Sequence, residues 1–201
     1  MEDLYKTIGS PSEGLFKDKG SKFIAYAYPV YTEDEIREHL SWIKKEHFAA
    51  RHHCYAWRLG AEKEQFRAND DGEPSSTAGK PILGQIQSFD LTNILIVVVR
   101  YFGGTLLGVS GLINAYRTAA KDAIKNSTIV EKTVKEFLLI DFGYECMNDV
   151  MKVFKDEQIP QLETTFDLQC RIKTAVRLGD SARIQNLLKK IEGTTISIIA
   201  P

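Results

Sequence analysis

Along this chain the apolar positions recur at two spacings, and together they outline most of its elements. The stretch "GLFKDKGSKFIAYAYPV", residues 14–30, predicts two extended pieces around the turn Asp18-Lys19-Gly20, a hairpin. Thr32 and Glu35 have the S/T-x-x-E spacing of a capping box, and Ile36, Leu40, Ile43 and His47 follow at helical intervals. Residues 50–59 and 65–69 read as strands joined by a polar turn. Pro81, which has no N–H to leave orphaned, predicts the first position of a short helix, "PILGQIQSF", weakened by Gly84. Residues 92–100, "TNILIVVVR", form an unbroken β-branched run, as a central strand buried on both faces requires. A helix through Lys125 follows, with Leu112, Tyr116, Ala119 and Ala123 turned to a core and Asn114, Arg117, Lys121 and Lys125 turned outward.

The second half has its own order. Residues 134–141 alternate as a strand, and Met147, Val150, Met151 and Phe154 mark a helix that must stop before Pro160. Residues 162–165 and 168–178 predict a hairpin around Phe166-Asp167. Asp180 is placed to cap a helix carrying Ile184, Leu187, Leu188 and Ile191, ended by Gly193, before a last strand at 194–199. This β-α-β-β-α-β order is ferredoxin-like. The reading is therefore an α+β protein of two domains, residues 1–130 and 131–201.

Composition narrows the function classes. The chain has 201 residues, 43% hydrophobic and 26% charged, with net charge −1, which argues for a folded protein rather than a disordered one or a polycation. Its longest apolar run, residues 94–99, is far below the ~20 residues needed to cross a bilayer, so no membrane partner is expected. The start, MEDLYKTIGS, lacks the basic and apolar regions of a secretory signal, and a cytoplasmic location is expected. Cys54, Cys146 and Cys170 are odd in number and show no CxxC spacing, against a disulfide framework or zinc ribbon. Nucleic-acid binding therefore needs a local patch. One candidate lies between Pro74 and Lys121, where the lone acid Asp90 faces Lys80, Arg100, Arg117 and Lys121.

The loop "NDDGEPSSTAGKPILG", residues 69–84, is rich in hydroxyls, acids and glycines. It is not a P-loop, because six residues separate Gly72 from Gly79 where the motif has four, and Lys80 is followed by Pro81. Ser75, Ser76 or Thr77 with His52 or His53 and Asp70 or Asp71 supply the residue types of a hydrolase triad, without a G-x-S-x-G elbow. His52 and His53, adjacent on a strand, point to opposite faces, so no metal site is expected. In "VVVRYFGGTLLGVSGLINAYR" a buried strand runs through Gly103 and Gly104 into a helix start at Ser110. Free amides and a positive helix end then sit at the rim of a sheet, where an anion is favoured. The spacing is not G-x-G-x-x-G, and no cofactor is expected.

"RYFGG" at 100–104, "LG" at 107–108 and "GLINAY" at 111–116 resemble the signature of the IMPACT/YigZ family, as do "RHHCYAWRLG" at 51–60 and "DDGEPSSTAGKPIL" at 70–83. The resemblance runs over essentially the whole chain, and departs at Asn114, where the family often has Arg. It implies a first domain with the βαβ fold of elongation factor G domain IV and a second with the ferredoxin-like fold of that factor's domain V. It further implies a link to translation, since eukaryotic members act in translational control through a ribosome-associated regulator of a stress kinase. The family has no settled catalytic residues to carry over.

The expectation is a nucleic-acid-binding or ribosome-associated protein in translation regulation, with RNA, the ribosome or a protein of translation control as partner. Lys80, Arg100 and Arg117 are expected to contact phosphate, with Arg51, His53 and Arg67 joining them from the strands if they share a face. Gly103, Gly104 and Ser110 are expected at the anion site, with Tyr101 or Phe102 stacking on an unpaired base. Asp70, Asp71, Pro74, Thr77 and Gly79 are expected to shape the loop. Replacing Arg100 and Lys80 by Ala is expected to weaken RNA binding with little loss of fold. A small hydrolase built on residues 75–77 with His52 or His53, and a protein-binding module, are the alternatives.

Overall fold

After β1 (Leu4–Ile8), β2 (Ser12–Asp18) and β3 (Ser21–Pro29) pair antiparallel. The two residues between them, Lys19 and Gly20, have φ of 44° and 79°, the left-handed pair that matches the twist of a tight hairpin. The computed structural model describes residues 3–167 and 169–199. In it the chain divides into two units: residues 5–132, and a second unit from Thr133 onward that takes in Asp3 and Leu4.

In the first unit, α1 (Glu33–Glu46) begins where the capping box places it. Glu35 N donates to Thr32 Oγ1 at 3.2 Å, while the Glu35 carboxylate reaches one residue further back than the box requires, to Tyr31 N at 2.6 Å. The unit continues through β4 (His52–Leu59), β5 (Gln65–Asn69), α2 (Gly79–Ser88), β6 (Ile94–Tyr101) and α3 (Gly108–Lys125). β7 (Ile129–Thr133) pairs with β1 in a separate two-stranded sheet.

The main sheet has the order β2-β3-β6-β4-β5, every neighbour antiparallel. Alternation splits β6 between two cores. Leu95, Val97 and Val99 pack with Ile36 and Ile43 of α1, whereas Ile94, Ile96 and Val98 pack under α2 and α3 with Ile82, Ile86, Leu112 and Tyr116. A strand covered on both faces accounts for the uninterrupted apolar run, since each such side chain contributes about 1.5–3 kcal/mol when fully buried. α2 starts two residues before the expected Pro81, which becomes its third residue. The ring is tolerated there because the first four N–H groups of a helix have no intrahelical acceptor.

The second unit comprises β8 (Lys135–Gly143), a 3-10 turn at Tyr144–Cys146, α4 (Met147–Asp156), β9 (Glu163–Phe166), β10 (Gln169–Arg177), α5 (Leu178–Lys189) and β11 (Thr195–Ile199). Its antiparallel sheet has the order β11-β8-β10-β9, so the chain order β-α-β-β-α-β closes as the ferredoxin-like fold. Leu168, expected at the start of the second hairpin strand, lies outside the described residues. Asp180 is the third residue of α5 and not its cap. The cap function belongs to Asp3, whose carboxylate accepts from Gly179 N at 3.2 Å and from Arg177 Nη2 at 2.7 Å.

The Arg177 hydrogen bond, helped by Gly179 N–H and the guanidinium charge, holds the Asp3 carboxyl down at about 2. A carboxyl depressed in the folded state adds stability that is complete above its unfolded value, about 3.9, and is lost as pH falls toward 2. Denaturant midpoints measured from pH 7 to pH 2 are expected to fall for the native chain across that window. Asp3→Asn should start lower at pH 7 and show a shallower fall. Equal slopes would refute the assignment.

Candidate functional site

The loop after β5 is organised by one carboxylate. Asp70 Oδ1 accepts from Ala78 N at 3.0 Å and Gly79 N at 2.8 Å, and Oδ2 from Ser76 N at 2.8 Å. Burial works to raise the Asp70 pKa, but these three N–H groups and the Lys80 charge outweigh it and hold the carboxyl below its usual range. Asp70 also opens a turn in which Asp71 and Gly72 have φ of 41° and 86° and Glu73 N donates to Asp70 O at 2.9 Å. A second turn follows, with Thr77 N and Oγ1 donating to Pro74 O at 3.1 and 2.6 Å. The end of the loop returns so close to β5 that a Cβ at Gly79 would lie 2.5 Å from Asn69 N, a separation only glycine permits.

The first turn delivers Glu73 into the core. Its Oε1 accepts from Arg100 Nη1 at 2.6 Å and from Tyr116 Oη at 2.7 Å, and the Glu73 and Arg100 side chains are 3% and 8% exposed. Arg100 stands opposite Phe23 of β3 and His52 of β4, with its guanidinium 5.5 Å from the Phe23 ring centre and 5.6 Å from that of Phe102. Its Nε is buried without a hydrogen-bond partner. Cys54 Sγ lies 3.4 Å from Tyr116 Oη and 2.9 Å from Asp70 O. Burial pushes both the Cys54 thiol and the Tyr116 phenol well up, so the thiol stays protonated and is no nucleophile.

Above this pair opens a cavity of about 530 Å³. Arg100 and Glu73 line it together with Arg51, His52 and Pro74. Phe102, Leu106, Leu107, Val109 and Leu112 form its apolar wall. α3 begins at this wall, at Gly108, with no side-chain cap and no acid in its first turn. His52 Nδ1 donates to Asp71 O at 2.8 Å, which leaves Nε2 as the acceptor of the neutral ring.

The expected site residues separate. Arg51, Arg100 and the α3 start meet at the cavity, whereas Lys80 and Arg117 are exposed and do not line it. His53 and Arg67 stand opposite Val99 and Trp57, on the α1 face of the sheet and away from Arg100. A strand's alternation puts them there. His53 Nε2 donates to His47 O at 3.1 Å. Gly103 serves close packing: its N–H donates to Ser21 Oγ at 3.1 Å, and a Cβ there would sit 1.9 Å from Gly20 C. Gly104 and Ser110 are exposed, the latter as the third residue of α3.

Several of the triad candidates are engaged elsewhere. Thr77 Oγ1 is engaged by Pro74 O, Asp70 by backbone amides and His52 by the Asp71 carbonyl. His53 Nδ1 stands 3.6 Å from Asp71 Oδ2, beyond hydrogen-bond reach. Among the described residues no His, Cys, Asp and Glu side chains cluster as a metal site would need, and no helix is long and apolar enough to cross a membrane.

The Impact N-terminal domain matches residues 19–124, more than half of the chain and all of the cavity wall. The chain belongs to the IMPACT family. The IMPACT family member YvyE of Bacillus subtilis (strain 168) is 32% identical over 176 residues, covering 88% of this chain and 81% of that protein. A crystal structure of a hypothetical protein superposes with a TM-score of 0.75 at 26% identity, covering 100% of this chain and 98% of the other. The two-domain translational regulator Yih1 aligns over 63% of this chain and 48% of its own at 26% identity, with a TM-score of 0.37.

The segments that carry the IMPACT resemblance converge on the cavity: Arg51 and His52 from one, Glu73 and Pro74 from the next, Arg100 and Phe102 from "RYFGG", and Leu107 to Leu112 from the last. Sequence reasoning missed Glu73. A usable signal was present, because an arginine ending a strand buried on both faces requires an acidic partner, and Glu73 lies in the one polar loop of that resemblance.

Proposed function

We propose that this IMPACT-family protein acts in translational control by contacting RNA through the cavity and its basic rim. The observation that carries the reading is the convergence of the family segments on one cavity where Arg51 and the uncapped start of α3 present positive charge and free amides. Family membership supports the translational setting, and the exposed Phe102 ring suits the stacking by which single-stranded RNA is held.

The test variant is Arg51→Ala and not Arg100→Ala, because Arg100 is committed to a buried ion pair and its loss disturbs the fold. Binding of the full chain to short single-stranded RNA is expected to weaken steeply with salt. Arg51→Ala should lower affinity for all sequences alike and reduce the logarithmic salt slope by about 1. No binding at low salt by the folded protein would overturn the reading. Ribosome co-sedimentation that survives RNase treatment would replace RNA by a protein partner.

A further inference from the structure

Resting on the RNA-contact reading, we infer that the cavity is a subsite for one unpaired nucleotide, its base edge read by Glu73 and Arg100 and its phosphate held at the start of α3. The volume, about 530 Å³, lies within the roughly 300–1,000 Å³ of small-molecule sites. The wall of Phe102, Leu106, Leu107, Val109 and Leu112 offers an apolar slot, and Phe102, Leu106 and Val109 are 53%, 82% and 60% exposed. Such rings and branched side chains at the surface hold a flat base by stacking and contact.

At the floor, Arg100 is buried to more than nine-tenths, lines the cavity, and keeps Nε without a partner. Buried polar groups are otherwise nearly always satisfied, and this orphaned one belongs to a residue of the cavity lining. Beside it stands the Glu73 carboxylate, two of whose roughly four acceptor positions are used by Arg100 and Tyr116. The floor thus sets a guanidinium and a carboxylate side by side in the cavity lining. A fatty or peptide carboxylate has no donor for Glu73 and meets its negative charge, whereas the edge of a nucleobase supplies both partners. Guanine fits best, because it alone carries two adjacent N–H donors beside a carbonyl acceptor. The anionic end is provided for elsewhere, by the first-turn amides of α3 and by exposed Arg51.

The test titrates the full chain with GMP, AMP, CMP, UMP, guanosine and inorganic phosphate, followed by calorimetry and amide chemical shifts. Saturable GMP binding is expected, at least tenfold tighter than UMP and at least tenfold tighter than guanosine, with shifts at Gly108 to Gly111. Val109→Asp puts a carboxylate at the helix start, where it does not harm the helix, and should weaken GMP at least tenfold with an unchanged melting temperature. Phe102→Ala should also weaken GMP at least tenfold. Absence of saturable binding by every nucleotide, or GMP binding indifferent to both variants, overturns the subsite. If that happens while RNA binding keeps its salt slope, the RNA reading stands without the subsite; if RNA binding is absent too, both fall.

Discussion

Glu73→Ala is expected to destabilise the unit of residues 5–132 by about 3–5 kcal/mol, the cost of leaving one charge of a buried pair uncompensated. The side chains of Glu73 and Arg100 are almost wholly buried and joined at 2.6 Å, so loss of the carboxylate leaves the guanidinium without its partner in a site largely removed from water. The loss also strands the Tyr116 hydroxyl, whose acceptor is the same Oε1. Replacing both charged residues by apolar ones of similar volume, Glu73→Leu with Arg100→Met, should recover most of the stability, because an ion pair brought out of water gains little over good packing. Denaturant midpoints of the three chains decide the matter. A loss below about 1 kcal/mol in the single variant would place the pair in the solvent-screened class of surface bridges. The doubly apolar chain, folded but without a polar floor, should also fail to bind GMP.

The second large effect is expected at Asp70. Hydrogen bonds to an ionised group contribute about 1.5–3 kcal/mol each, and because three amides share this one carboxylate their sum is not additive. Asp70→Ala should therefore cost roughly 3 kcal/mol and release residues 71–78, raising hydrogen exchange at Ser76, Ala78 and Gly79 far more than elsewhere. Asp70→Asn, which keeps one acceptor, should lose less. The pH dependence has a definite sign. A carboxyl held below its ordinary range stabilises fully above the unfolded value and loses that contribution as pH falls through its lowered one. The difference between native and Asp70→Ala midpoints should be large at pH 7 and shrink at low pH. A difference that stays constant with pH would show that the ionised carboxylate is not what holds the loop.

Those two residues also divide what was legible in the chain from what was not. Local signals held where neighbouring residues decide the geometry. The Lys19-Gly20 turn, the Thr32 cap, the alternation that turns His52 and His53 to opposite faces, and the two-sided burial of β6 all follow from spacing of a few residues. Less legible were the polar groups whose partners lie far along the chain. Arg100 was taken for a phosphate contact, but Glu73, 27 residues earlier, neutralises it. Gly103 was taken for an anion cradle, but its N–H donates to Ser21, 82 residues away.

Helix starts show the same division. Helices were expected at α2 from Pro81 and at α5 from its apolar spacing, yet each begins two residues before its expected first or capping position. In both, a distant aspartate supplies the acceptor: Asp70 to Gly79, nine residues on, and Asp3 to Gly179, 176 residues on. The sequence by itself determined most of the elements and the ferredoxin-like order of the second half, because these depend on short-range sterics and the two periods of side-chain direction, and its motifs carried the resemblance to the family. Only the tertiary structure decided which charges are spent on one another and which are left facing the cavity. A buried charge takes whatever opposite group the fold brings within about 3 Å, and chain distance carries no record of that.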